Sequence, residues 1–331
     1  MLLTKQYILL IISIILLFFS VPSQASSENR DSTKLSEDEM LTLFVSIEPQ
    51  AYFVERIGGK MVDVHVLVPP GKSPATYAPT PSQMLKLTEA KLFFTIGVPF
   101  EKALMPKIKK ITGGLEIVDT TKGIELMPFH ISESSHGHHE ESDAKEKEQS
   151  SEHQNAEDEK SEDEHHHTDA LDPHIWMNPL LVKIQAATIL DALLKYAPEH
   201  KAQLSQNFNK FMDDLDKLHL KIKDALAPLE GETIFVYHPV FGYFAREYGL
   251  KQLAVERGGK SPRGKELLNF ITEAKNNNVH VIFVQPQFDQ NTANKIATAI
   301  KGVVVPLDPL ARNYIENLEN MASTIKNSLR N

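Results

Sequence analysis

Eight short apolar runs, in two series of four, are separated by segments of helical periodicity, and they constrain this 331-residue chain more than any other feature. The first series covers residues 41–47, 62–68, 92–96 and 116–119, with helical patterns at 50–57, 82–90 and 101–111. The second covers 233–237, 252–255, 279–284 and 303–307, with helical patterns at 240–248, 265–276, 291–300 and 312–329. Short runs that are apolar throughout read as strands covered on both faces, the pattern of a parallel sheet. Parallel strands joined through helices form right-handed β-α units. The expected fold class is therefore α/β, with two similar lobes of four β-α units each.

Between the series, residues 179–229 carry no strand signal. Pro198 opens a helical stretch with Leu204, Phe208, Phe211, Leu215, Leu218 and Ile222 at three- and four-residue steps, and Pro228 closes it. At 1.5 Å per residue such a helix is roughly 40 Å long, enough to run along both lobes. The expected organisation is a signal peptide at 1–25, a first lobe at 26–197, a linking helix at 198–228 and a second lobe at 229–331.

The signal peptide reading rests on Lys5, an apolar stretch at 7–19 and the small-residue exit Pro22-Ser23-Gln24-Ala25. The apolar stretch is shorter than the roughly 20 residues a spanning helix needs. Cleavage near Ala25 and export to the periplasm are expected. The chain has no cysteine, so it has neither disulfides nor a thiol for lipid attachment. Any metal site must use His, Asp or Glu.

Charge is concentrated in one place. The formal net charge is −9, and residues 133–169 alone carry −11, from fourteen acids against three lysines. That stretch has only Ala144 and Ala156 as hydrophobic residues, so it cannot build a core. Acids alone would make it a solvated linker. Its seven histidines, His136, His138, His139, His153, His165, His166 and His167, are clustered as in metal-binding tracts, and they read as auxiliary low-affinity sites. No basic stripe interleaved with aromatics appears, so nucleic acid is not an expected partner.

Ligands of open α/β sheets sit at the carboxyl ends of strands. There the chain offers His238, Asp308, Glu256, Gln285 and Glu48, and beyond the acidic run it offers His174. Imidazole and carboxylate suit a divalent transition metal, so His174, His238 and Asp308 are the candidate ligands. Glu48 and Glu256 are further cleft candidates. His65, His130, His200, His219 and His280 read as ordinary structural histidines. Trp176 reads as packing beside His174. Phe241, Tyr243, Phe244 and Tyr248 form a helical core face.

Several stretches together carry a family resemblance. They are Val45-Ser46-Ile47-Glu48-Pro49, the segment from Leu67 through Pro69, Pro70 and Gly71 to Pro74, Asp172-Pro173-His174-Ile175-Trp176-Met177-Asn178-Pro179, His238-Pro239-Val240-Phe241-Gly242-Tyr243-Phe244, Pro286-Gln287-Phe288 and Leu307-Asp308-Pro309-Leu310. In this order they resemble the zinc- and manganese-binding solute receptors of ABC-type metal importers. The resemblance implies two β/α lobes joined by a long helix, one Zn2+ in the cleft with Mn2+ as competitor, and an inner-membrane permease as partner for a monomeric receptor. It implies His174, His238 and Asp308 as second, third and fourth ligands. The first ligand does not carry over, because Ala75 stands where the family has histidine. Gln285 stands where zinc members often have Glu. Water, a histidine of the acidic run, or a change of metal are the open answers to the missing ligand.

Other classes are less supported. A zinc hydrolase needs a base beside metal-bound water, yet there is no His-Glu-x-x-His spacing or Gly-x-Ser-x-Gly elbow. A periplasmic metal buffer or a metal-dependent adhesin of the same fold is the stronger rival.

Overall fold

The computed structural model describes residues 40–129, 171–256 and 264–330, all within one unit of the chain, Leu35–Asn331. The expected signal peptide, His130 and the histidines of residues 133–169 lie outside the described residues.

The first lobe runs β1 (Leu41–Val45), α1 (Glu48–Gly58), β2 (Val62–Val66), α2 (Pro81–Leu87), β3 (Leu92–Thr95), α3 (Pro99–Ile111) and β4 (Glu116–Asp119). Its strands are all parallel, in the order β2-β1-β3-β4. β3 is buried along its whole length, as a strand covered by helices on both faces must be. The helices begin earlier than apolar spacing alone suggests. Pro81 and Pro99 occupy the first helical turn, where the missing N–H costs nothing and the fixed φ favours the helix.

Next come two long helices, α4 (Pro179–Tyr196) and α5 (Lys201–Leu226). The turn between them is short, and Lys183 pairs with Asp216, so they run antiparallel. The 26-residue α5 buries Leu204, Phe211, Leu215, Leu218, Ile222 and Leu226, one stripe at three-, four- and seven-residue steps, and apart from the exposed Leu220 its outer face is mostly polar. Pro198 and Pro228 each sit in a single 3-10 turn flanking it.

The second lobe follows as β5 (Thr233–Val236), α6 (Gly242–Glu247), β6 (Lys251–Ala254), α7 (Lys265–Asn276), β7 (Val281–Val284), α8 (Gln290–Ile300), β8 (Val303–Pro306) and α9 (Tyr314–Arg330). Its parallel order, β6-β5-β7-β8, repeats that of the first sheet. In each sheet the order reverses beside the first strand. This is the switch point at which open α/β sheets bind ligands.

One continuous core runs through both lobes and α5. At its centre Phe53 of α1 meets Phe211 of α5 and Tyr314 of α9, with ring centroids 5.9 and 4.9 Å away. Burying an aromatic ring of this kind stabilises by about 1.5–3 kcal/mol. Among the described residues, the last helix thus closes back against the first. Among the described residues, no helix is long and apolar enough to cross a membrane.

Candidate metal centre

His238 sits two residues beyond the end of β5, at the switch point of the second sheet. The Gln285 side chain beyond β7 fixes its backbone: Oε1 accepts the His238 N–H at 3.2 Å, and Nε2 donates to the His238 carbonyl at 3.1 Å. This contact needs a donor and an acceptor on one side chain. A carboxylate could accept the N–H but not donate to the carbonyl, which would then keep only the Val240 N–H at 2.8 Å. The ring stacks on Phe288 at 4.6 Å, and Nδ1 lies 2.5 Å from Oε2 of Glu256. Register explains Glu256: Val236 pairs with Ala254, so two residues further on His238 stands opposite it.

His174 is built in the same way from another part of the chain. Oδ1 of Asp172 accepts from its backbone N–H at 2.9 Å and lies 2.7 Å from its Nδ1. Trp176 packs edge-on at 5.1 Å, as expected, and Phe129 lies at 5.9 Å. The segment is fastened to the second lobe. The Trp176 indole N–H donates to the Pro309 carbonyl at 2.9 Å, and the Tyr314 hydroxyl donates to the Trp176 carbonyl at 2.8 Å. The Asn178 amide donates to Oε2 of Glu247 at 3.0 Å.

These supports bring His174 and His238 together, with ring centroids 5.3 Å apart and planes at 84°. An acceptor-only carboxylate at each Nδ1 puts the proton there and leaves the Nε2 lone pair for a metal. Burial, with His174 close by, holds the His238 imidazole below the ordinary histidine range, against the raising effect of Glu256. The ring therefore stays neutral, the form that ligates.

Asp308 stands on the wall of a neighbouring cavity of about 360 Å3, together with Glu48, Gln287, Arg312 and residues 68–71. Its Oδ1 accepts from Gln287 Nε2 at 2.9 Å and from the Leu310 N–H at 3.0 Å. Among the described residues, no three His, Asp or Glu side chains are already gathered as a metal-holding group. The structure thus joins the two histidines and leaves Asp308 one loop away, next to Pro309. Glu48 is paired with Arg312 at 2.7 Å, as is Glu55 at 2.6 Å. Ala75 is exposed on the loop that continues from the cavity wall.

Asp172 and Arg312 were not legible as site residues, and Glu256 only as a cleft candidate. Asp172 had a signal: an Asp two residues before His174 is spaced to accept from its backbone N–H. Of the other histidines, His65 pairs with Asp63 at 3.0 Å and lies 5.1 Å from Phe44, and the ring of His219 lies 5.7 Å from that of Tyr248. Both fit the structural reading.

A family model described as ZnuA, zinc-uptake complex component A, periplasmic, matches residues 43–328. The chain belongs to this family. It is similar to the high-affinity zinc uptake system protein ZnuA of Yersinia pestis, 27% identical over 287 residues, covering 85% of this chain and 88% of the relative. The protein of that name from Bacillus subtilis is 27% identical over 329 residues, covering 94% of each. Among solved structures, a crystal structure of ZnuA superposes with a TM-score of 0.74 at 33% identity, covering 88% of this chain and 99% of that one. A zinc-bound deletion mutant of ZnuA gives 0.72 at 34% identity, covering 88% and 98%. The two-lobed α/β fold with its long helix is that of these periplasmic receptors.

Proposed function

We propose that the chain captures Zn2+ in the periplasm and delivers it to an ABC-type permease of the inner membrane. The observation that carries this reading is the pair of imidazoles 5.3 Å apart, each with its Nδ1 held by a carboxylate. His174 and His238 are two of the ligands, and Asp308 completes the protein set when its loop closes on the ion. Water or a histidine from residues 133–169 fills the remaining position, since Ala75 cannot. Imidazole donors and the Irving–Williams order favour Zn2+ over Mn2+. The names of the relatives, zinc uptake proteins, support the same choice.

In this reading residues 1–25 are removed on export, 26–197 and 229–331 form the lobes, and 198–228 link them. The receptor works as a monomer, and with no cysteine in these 331 residues it carries no lipid on a thiol. It holds and releases its ion without chemical change, as a solute receptor does. Residues 133–169 gather zinc at weaker sites through His136, His138, His139, His153, His165, His166 and His167. Pro128 and Leu171, which flank that stretch in sequence, form an isolated antiparallel bridge, and Leu171 is three residues before His174.

Titrating the metal-free protein with Zn2+ tests the reading. One tight site, abolished in a His174→Ala/His238→Ala double variant, is the expected result, and unchanged affinity and stoichiometry in that variant would sink it. Deleting residues 133–169 should remove the weaker sites and leave the tight one.

A further inference from the structure

The Tyr243 ring is fully buried, and helical spacing accounts for it as core. Its hydroxyl is not needed to fill that space. It accepts the Met127 N–H at 2.9 Å and donates to the Asp172 carbonyl at 2.9 Å. Met127 and Asp172 are themselves joined, since the Asp172 N–H donates to the Met127 carbonyl at 2.8 Å. One oxygen, five residues beyond His238, therefore holds both chain segments that meet at the base of His174. Its neighbour Gly242 packs against the same carboxylate. A Cβ built there would lie 2.8 Å from Oδ2 of Asp172 and 3.3 Å from the Met127 methyl. The glycine is thus required by space at the Asp172 carboxylate.

We infer that Tyr243 is a positioning residue for metal capture, setting with Gly242 the placement of the Asp172–His174 pair relative to His238. The inference rests on reading His174 and His238 as ligands. Without the hydroxyl, the half-buried Met127 N–H and the buried Asp172 carbonyl lose a partner, a cost relieved by shifting the backbone that carries Asp172. Asp172 then no longer fixes the His174 ring with Nε2 aimed at the ion. Removing a carboxylate that orients a metal-binding histidine typically weakens binding 10- to 100-fold. Tyr243 acts one step further out, so Tyr243→Phe should weaken Zn2+ binding about tenfold.

The experiment measures Zn2+ affinity by chelator competition in the full chain for the wild type, Tyr243→Phe, Gly242→Ala, His238→Ala and the control Tyr248→Phe, whose hydroxyl has no hydrogen-bond partner among the described residues. Nitrogen NMR of the metal-free His174 ring reports which nitrogen carries the proton, a readout that a merely structural role would not move. The expected result is weakened binding in Tyr243→Phe and Gly242→Ala with a mixed His174 tautomer, and wild-type behaviour in Tyr248→Phe. Wild-type affinity and a pure Nδ1–H tautomer in both Tyr243→Phe and Gly242→Ala, beside a weakened His238→Ala, would overturn the inference alone. Unchanged binding in His238→Ala would overturn the ligand reading and the inference with it. If Gly242→Ala fails to fold, Tyr243→Phe, which keeps the ring, decides.

Discussion

Glu256 and His238 face each other across neighbouring parallel strands, each two residues past the last paired position, with Oε2 and Nδ1 2.5 Å apart. The carboxylate orients the ring and makes its Nε2 a stronger donor to a metal. Glu256→Gln, which keeps an acceptor but loses the charge, should weaken Zn2+ binding about tenfold. Glu256→Ala should weaken it more, because Nδ1 then has no partner. Chelator competition in both variants measures the difference, and wild-type affinity in both would remove Glu256 from the site.

The pH dependence follows from burial of His238. Its folded-state pKa lies below the unfolded value, so the unfolded chain binds the proton more readily. Stability of the metal-free protein is therefore present above the ordinary histidine value of about 6.5 and is lost as pH falls toward the depressed folded pKa. Urea midpoints between pH 5 and pH 8 should show this slope, and His238→Asn should flatten it. Zinc binding should outlast, on acidification, the binding to an unburied histidine.

The exposed position of Ala75 makes a gain-of-affinity variant accessible. Ala75→His places an imidazole where the resemblance implies one, on a loop whose first residues line the cavity beside Asp308. Replacing a water or a distant donor by a local ligand should tighten Zn2+ binding by about tenfold or more. It should also make that tight site independent of residues 133–169. Titration of the Ala75→His chain with and without those residues checks both statements.

Arg312 ties the segment before α9 to both Glu48 and Glu55 of α1. The Arg312 side chain is 41% exposed, so water screens the pairs and the gain is modest. Arg312→Ala should lower stability by about 0.5–1 kcal/mol, and by less at high salt. Denaturant midpoints at two ionic strengths give the answer.

The central strands β1, β3 and β7 were legible because a strand covered on both faces must be largely apolar; edge strand β2, with Asp63 and His65, breaks that pattern. Helix starts were harder, since proline in the first turn reads as a breaker until its place in the turn is known. His238 was legible because strand ends carry ligands. The role of Glu256 was not, because the 18-residue separation becomes a contact only once strand register is fixed. The Tyr243 hydroxyl was hidden for another reason: the ring satisfied the core pattern and left nothing for the sequence to explain.

The bridge between Pro128 and Leu171 has a topological consequence. It holds Pro128 and Leu171 together, so the sequence between them can vary in length and composition without changing how far apart those two residues stand. The same place would accept new chain termini by circular permutation or the insertion of an unrelated segment. The histidine-rich sequence can thus change over generations while the bridge, and the pair of rings held by Asp172 and Glu256, keep one geometry.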